Sequence, residues 1–256
     1  MKKKKRMFIA GNWKMNPQSL EAAKEVFRQI KKSAAKLKNT DVVICPPTLY
    51  LSELKKIAKD DFALGVQNIH WELSGSHTGE ISARMAADVG AHYSIIGHSE
   101  RRAMGESDEE VSKKIAAAFA EGLVGIVCVG ERERDTEGQY LEFLKNQIEH
   151  SLAGVSKSQV KRLILAYEPV WAIGRKDNAA LGGKELYETV LYIRKVLLGI
   201  YGKDIAFGIP VLYGGSATFQ NVGDILSEGE VEGLLVGRQS LEPEGFAQLL
   251  RIANSL

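Results

Sequence analysis

The sequence predicts an α/β fold of eight consecutive βα units in a single domain, an arrangement that favours a closed (β/α)8 barrel. Three observations predict it. Apolar runs of strand length alternate with amphipathic helical patterns along the chain. The runs are mostly continuous, as in strands covered on both faces. Eight of them fit into 256 residues, a length that α/β barrels use as one domain. An open doubly wound sheet shares this local pattern, so closure is an expectation at this point.

The strand-like runs are residues 8–10, 42–44, 62–66, 93–96, 126–129, 163–167, 205–209 and 234–236. Between the first two, Leu20, Ala23, Phe27, Ile30, Ala34 and Leu37 recur at helical spacing with lysines opposite. Val111, Ile115, Ala118 and Phe119 mark a later helix, and Leu186, Val190, Ile193 and Leu197 another. Alternation of this kind means parallel strands joined by crossover helices. No linker or low-complexity segment interrupts residues 7–256, which read as the barrel domain. Residues 1–6 read as a basic, flexible arm.

Composition excludes several classes. Hydrophobic residues make up 45% and charged residues 26%, ordinary globular values. Net charge is +2, and the run Lys2-Lys3-Lys4-Lys5-Arg6 alone carries five positive charges, so the body is slightly acidic. A polycation for nucleic acid is not indicated, and the arm reads as a solvated tail. No apolar stretch approaches the length of a membrane span. Cys45 and Cys128 each end an apolar run without a CxxC or Cys/His cluster. They read as reduced, buried thiols in a cytoplasmic protein, with no metal site and no cofactor.

The residues just after the strands are chemically distinct. Asn12 and Lys14 follow the first, Gln67 and Asn68 the third, His98 the fourth and Glu131 the fifth. Glu168 follows the sixth, Gly214-Gly215-Ser216 the seventh and Gly237 the eighth. In a parallel barrel all strand carboxyl ends open on one face, so these residues converge there.

Several of them sit in long motifs. Ala10-Gly11-Asn12-Trp13-Lys14-Met15-Asn16, Ile95-Ile96-Gly97-His98-Ser99-Glu100-Arg101-Arg102 and Ala166-Tyr167-Glu168-Pro169-Val170-Trp171-Ala172-Ile173-Gly174 are the longest. Tyr213-Gly214-Gly215-Ser216, Cys128-Val129-Gly130-Glu131 and Thr78-Gly79-Glu80 accompany them. Along the chain these motifs stand in the order of the triosephosphate isomerase family, which the chain resembles from Phe8 onward. The resemblance implies a TIM barrel, an aldose–ketose isomerase of triose phosphates, a place in glycolysis and gluconeogenesis, and a homodimer.

Moving a proton between the two carbons of an α-hydroxy carbonyl compound needs a base, an electrophile for the enediolate oxygens, and a cover against water. The resemblance assigns the base to Glu168 and the electrophile, a neutral imidazole, to His98; that pairing comes with the family and not from spacing. Before Pro169, Glu168 is disfavoured in a helix and belongs at a strand-to-loop corner. Read alone it is an ordinary loop carboxylate. After His98, Ser99 and Glu100 can start a helix whose positive pole disfavours a second positive charge. His70, His77, His92 and His150 stand in no motif and read as packed or surface residues.

Lys14 is the cation that a motif places at the barrel mouth, where its point charge suits a phosphate or a developing enediolate. Asn12 resembles the residue that holds the substrate oxygen and positions the lysine. Glu100 resembles an auxiliary acid beside the histidine, and a helix-capping carboxylate explains it as well. Gly174, Ser216, Gly237 and Arg238 are expected to offer backbone N–H groups to the phosphate. Pro169, Val170, Trp171, Ala172, Ile173, Gly174, Arg175, Lys176, Asp177, Asn178 and Ala179 resemble the mobile lid. Thr78, Gly79 and Glu80 resemble the loop that docks into a neighbouring subunit.

The chain departs from the family pattern in three places. Lys176 stands where the lid usually has glycine, removing backbone freedom there. Arg238 stands where a second glycine usually follows the eighth strand. Residues 102–106 look one residue short and lack an aromatic. Other readings are a different sugar-phosphate barrel or a non-catalytic phosphate binder. An aldolase wants a Schiff-base lysine where Glu168 stands. A metal-dependent epimerase wants His/Asp ligands at several strand ends. A non-catalytic descendant is free to lose Glu168, His98 or Lys14, and all three are present.

Overall fold

In the computed structural model, which describes residues 6–172 and 181–256, eight strands close into a barrel. They are β1 (Met7–Asn12), β2 (Thr40–Cys45), β3 (Ala63–Val66), β4 (Tyr93–Ile96), β5 (Val124–Val129), β6 (Leu163–Tyr167), β7 (Val211–Tyr213) and β8 (Gly233–Val236). Each pairs in parallel with its sequence neighbours, and β1 pairs with β8, Ile9 opposite Leu234. Closure leaves no sheet edge to protect.

The continuous apolar runs have a geometric cause. Ala10, Val43, Ile95, Ile126, Ala166, Leu212 and Leu235 pack together inside the barrel. Their neighbours Ile9, Ile44, Ile96, Val127, Leu165, Val211 and Leu234 pack outward in the layer shared with the helices. Both faces of each strand are therefore dry, and side-chain alternation survives without polarity alternation.

The helices obey local rules. Ser19 caps Leu20–Ala34 by accepting the Ala22 N–H at 3.3 Å, and Ala23, Phe27 and Ile30 point into the core. Leu37 lies beyond that helix but still packs on the core. Ser107 and Glu110 form a reciprocal capping box on Asp108–Ala120, which buries Val111, Ile115, Ala118 and Phe119. The helix Gly183–Tyr201 buries Leu186, Val190, Ile193 and Leu197.

One element differs from the sequence reading. Residues 205–209 are not the seventh strand. A short helix, Lys203–Ala206, occupies part of that run, and β7 begins after Pro210. Gly202, at φ +83°, breaks the preceding helix and allows the chain to turn at once into a new one. Pairing with β6 opens at the Pro210 carbonyl, which accepts the Leu165 N–H at 2.9 Å. The other seven strands lie where the apolar runs put them, with ends shifted by a few residues.

Of the basic arm, Arg6 is described, and it pairs with Asp41 of β2 at 2.6 Å. Cys45 and Cys128 are free and buried. Among the described residues no helix is long and apolar enough to cross a membrane.

Candidate active site

Strand alternation places the first site residues. On β1 the inward face runs Ala10 then Asn12, and on β6 it runs Ala166 then Glu168. Asn12 and Glu168 thus reach the carboxyl-end mouth still facing the barrel axis, and both are buried. His98 would fall out of phase on β4. Gly97, at φ +71°, turns the chain before it, a conformation that a side chain rarely tolerates. His98 then lines a cavity of about 350 Å³ with Asn12, Lys14, Glu168, Ser216, Gly237 and Arg238. A larger cavity of about 720 Å³ lies on the other side of Glu168, lined by Arg102, Asp108 and Gln147. It holds neither His98 nor Lys14, so the candidate residues converge in the smaller one.

In and beside that cavity the polar groups meet. His98 Nε2 lies 3.1 Å from Glu168 Oε1. The Ser99 N–H donates to Glu168 Oε2 at 2.9 Å. His98 Nδ1 accepts the Glu100 N–H at 3.1 Å, so a single ring proton belongs on Nε2, the nitrogen that faces the cavity. Lys14 Nζ donates to Glu100 Oε1 at 2.6 Å. Lys14 itself sits at φ +51°, uncommon for a residue with a side chain and typical of functional sites. Its N–H donates to Asn12 Oδ1 at 3.0 Å.

Glu168 is fixed from behind by backbone. Its N–H donates to the Val129 carbonyl at 2.8 Å. A Cβ on Gly130 would fall 1.7 Å from the Glu168 carbonyl oxygen, so only glycine fits there. Beneath, burial first and then the neighbouring Glu168 charge push the Cys128 thiol well above its ordinary value.

The phosphate candidates are placed as follows. Ser216 is exposed, and its carbonyl accepts Asn221 Nδ2 at 2.9 Å. Gly237 has φ −83°, and Arg238 opens a short helix, Arg238–Leu241. Arg238 is not among the described residues with positive φ, so a side chain there brings no backbone strain. As the first residue of its helix it has an N–H without an intrahelical acceptor. Gly174 lies outside the described residues.

Val170–Ala172, among the residues expected to form the lid, make a helical turn. Its anchor is Glu131, which the sequence placed after the fifth strand without a task. Glu131 Oε1 accepts Trp171 Nε1 and the Tyr167 hydroxyl at 2.8 Å and Arg134 Nε at 2.9 Å. Arg134 came from no motif; only its place three residues after Glu131 hinted at a pair. Ile173, Gly174, Arg175, Lys176, Asp177, Asn178 and Ala179 lie outside the described residues, and with them the lid departure at Lys176. Thr78, Gly79 and Glu80 lie in an exposed loop. His70 is buried, stacks on Trp71 and lies tilted against His77, with ring centroids 4.2 and 4.0 Å away. Among the described residues no cluster of His, Cys, Asp and Glu has the makings of a metal site.

A closed parallel barrel whose mouth gathers a carboxylate, an imidazole and an ammonium group has the parts of a barrel enzyme that moves protons on an anionic substrate. Known proteins narrow the class. Residues 7–253 match the triosephosphate isomerase family profile. The triosephosphate isomerase of Clostridium botulinum (strain Loch Maree / Type A3) is 41% identical over 245 residues, 94% of this chain and 97% of its own. That of Thermoanaerobacter pseudethanolicus is 39% identical over 252 residues, 96% and 99% of the two chains. The crystal structure of the Bartonella henselae triosephosphate isomerase superposes with a TM-score of 0.86 at 36% identity, covering 96% of this chain and 98% of that one. The chain belongs to the triosephosphate isomerase family.

Proposed function

We propose that this isomerase interconverts dihydroxyacetone phosphate and D-glyceraldehyde 3-phosphate with Glu168 as the proton-transferring base. The observation that carries the reading is the meeting of Glu168 and His98 at 3.1 Å in a cavity that also holds Lys14 and Asn12. Glu168 takes the proton from the carbon next to the carbonyl and returns it to the neighbouring carbon. His98, with Nε2–H directed inward, donates a hydrogen bond to the enediolate oxygens. Lys14 offsets the negative charge of enediolate and phosphate, and Asn12 holds the Lys14 backbone. Glu100 holds the Lys14 ammonium until the anionic substrate competes for it.

Gly174, Ser216, Gly237 and Arg238 serve the phosphate, and the segment from Pro169 to Ala179 covers the bound intermediate. Trp171, tied to Glu131, gives that cover a fixed hinge.

The working unit is a homodimer. Met15, Leu49, Met85 and Met104 are 85%, 84%, 58% and 79% exposed, and they follow β1 to β4, neighbouring strands on one side of the mouth. Apolar exposure gathered in this way marks a protein interface. Thr78, Gly79 and Glu80 lie in the loop after β3 within the same region. Two free buried thiols fit a reducing, cytoplasmic location.

A coupled assay on the purified chain tests the reaction, with Lys14→Met as control. The wild type turns over both triose phosphates, and Lys14→Met loses at least about three orders of magnitude in kcat/KM. A wild type without activity, or a fully active Lys14→Met, contradicts the reading.

A further inference from the structure

Gln67 leaves the carboxyl end of β3, half-buried. Its amide nitrogen makes two donations to backbone. One goes to the Lys14 carbonyl at 2.8 Å and the other to the Cys45 carbonyl at 2.9 Å. The Cys45 carbonyl also accepts the Trp13 N–H at 3.1 Å. One side chain just after β3 therefore ties the turn after β1 to the end of β2.

The residue it grips is strained. Lys14 holds φ +51°, where a side chain crowds its own carbonyl. Such a conformation persists only where its surroundings over-determine it. At Lys14 both adjoining peptides are held by side chains: the N–H by Asn12 Oδ1 at 3.0 Å, the C=O by Gln67. Both hydrogens of the Gln67 amide are spent on these two carbonyls, which a carboxylate or an apolar side chain cannot reproduce. With the peptides fixed, the Cα–Cβ direction is fixed. The ammonium group then stands in the mouth, 2.6 Å from Glu100.

We infer that Gln67 is a positioning residue for Lys14, holding its backbone in the left-handed conformation that delivers the ammonium to the anionic substrate. The inference rests on the role proposed above for Lys14. A purely structural Gln67 would tie β3 to β1 and β2 with no consequence specific to the lysine.

The test is a double-mutant cycle on the full chain, read by calorimetric binding of 2-phosphoglycolate, a phosphorylated carboxylate with the charge of the enediolate. The four proteins are wild type, Gln67→Met, Lys14→Met and the double variant. A misplacement of about 1 Å can cost about a hundredfold, so Gln67→Met weakens binding about ten- to a hundredfold. In the Lys14→Met background the same change has less than about a twofold effect, because the group it positions is gone. Equal losses in both backgrounds, or no loss beside an intact Lys14, overturn the inference. Unchanged binding in Lys14→Met contradicts instead the role of Lys14 itself. Should Gln67→Met fail to fold, Gln67→Asn takes its place. It keeps the amide but withdraws it by one methylene, and the same coupled loss is expected.

Discussion

Cys45 ends β2 wholly inside the barrel, and desolvation alone pushes its thiol up from 9.0 to about 12. Below pH 9 the thiol is protonated folded or unfolded, and its contribution to stability is fully present. Between pH 9 and 12 the unfolded chain ionises there while the folded chain does not, so stability is lost as pH rises. Each buried thiol steepens that loss by up to about 1.4 kcal/mol per pH unit. Urea unfolding from pH 8 to 10.5 should show a shallower decline in Cys45→Ala than in wild type. Identical slopes would mean that the thiol titrates freely. At this scale the sequence is legible wherever a residue's partners are sequence neighbours. His98 and Glu100 meet through Nδ1 and an N–H two residues on. Gln67 is less legible, because its partners Lys14 and Cys45 are 53 and 22 residues away. Nothing in its flanking residues encodes the bond.

Between β5 and β6 the limiting feature is the backbone itself. Gly130 lets the chain after β5 approach Glu168 so closely that any Cβ collides with a carbonyl. Gly130→Ala must push the two segments apart, and the expected cost is about 3 kcal/mol or more. For a domain of this size that is a fall of about 6–12 °C in melting temperature. Turnover should drop as well, because Glu168 moves with its backbone. A variant with the wild-type melting point would show that β5 and β6 can separate freely. The misplaced seventh strand has a related cause. The run around Ile205 is apolar because Ala206 and Ile209 are buried in the core cluster shared by strands and helices. Buried strand and buried turn share that composition, and the signal separating them was the break at Gly202 and Pro210.

The whole molecule was legible because eight strands of one kind leave few arrangements. Continuous apolar runs require helices on the outside, and the alternation of strand and helix requires parallel pairing. Closure itself is a property of the complete sheet, seen in the pairing of β1 with β8. The proposed dimer is testable on the side of the mouth beside β1 to β4. Met15 and Met104 are the most exposed of its apolar residues that follow β1 and β4. Light scattering should find a dimer at micromolar concentration, and Met15→Glu with Met104→Glu should shift it to monomer. An active wild-type monomer would contradict the interface.

The central claim is that Glu168 moves the proton, and Glu168→Asp tests it most directly. The change keeps the carboxylate but withdraws it by one methylene from the carbon it must reach. Turnover in the coupled assay is predicted to fall by about two to three orders of magnitude, with KM changed only a few-fold. Wild-type turnover in Glu168→Asp would contradict the account and remove Glu168 from the role of base.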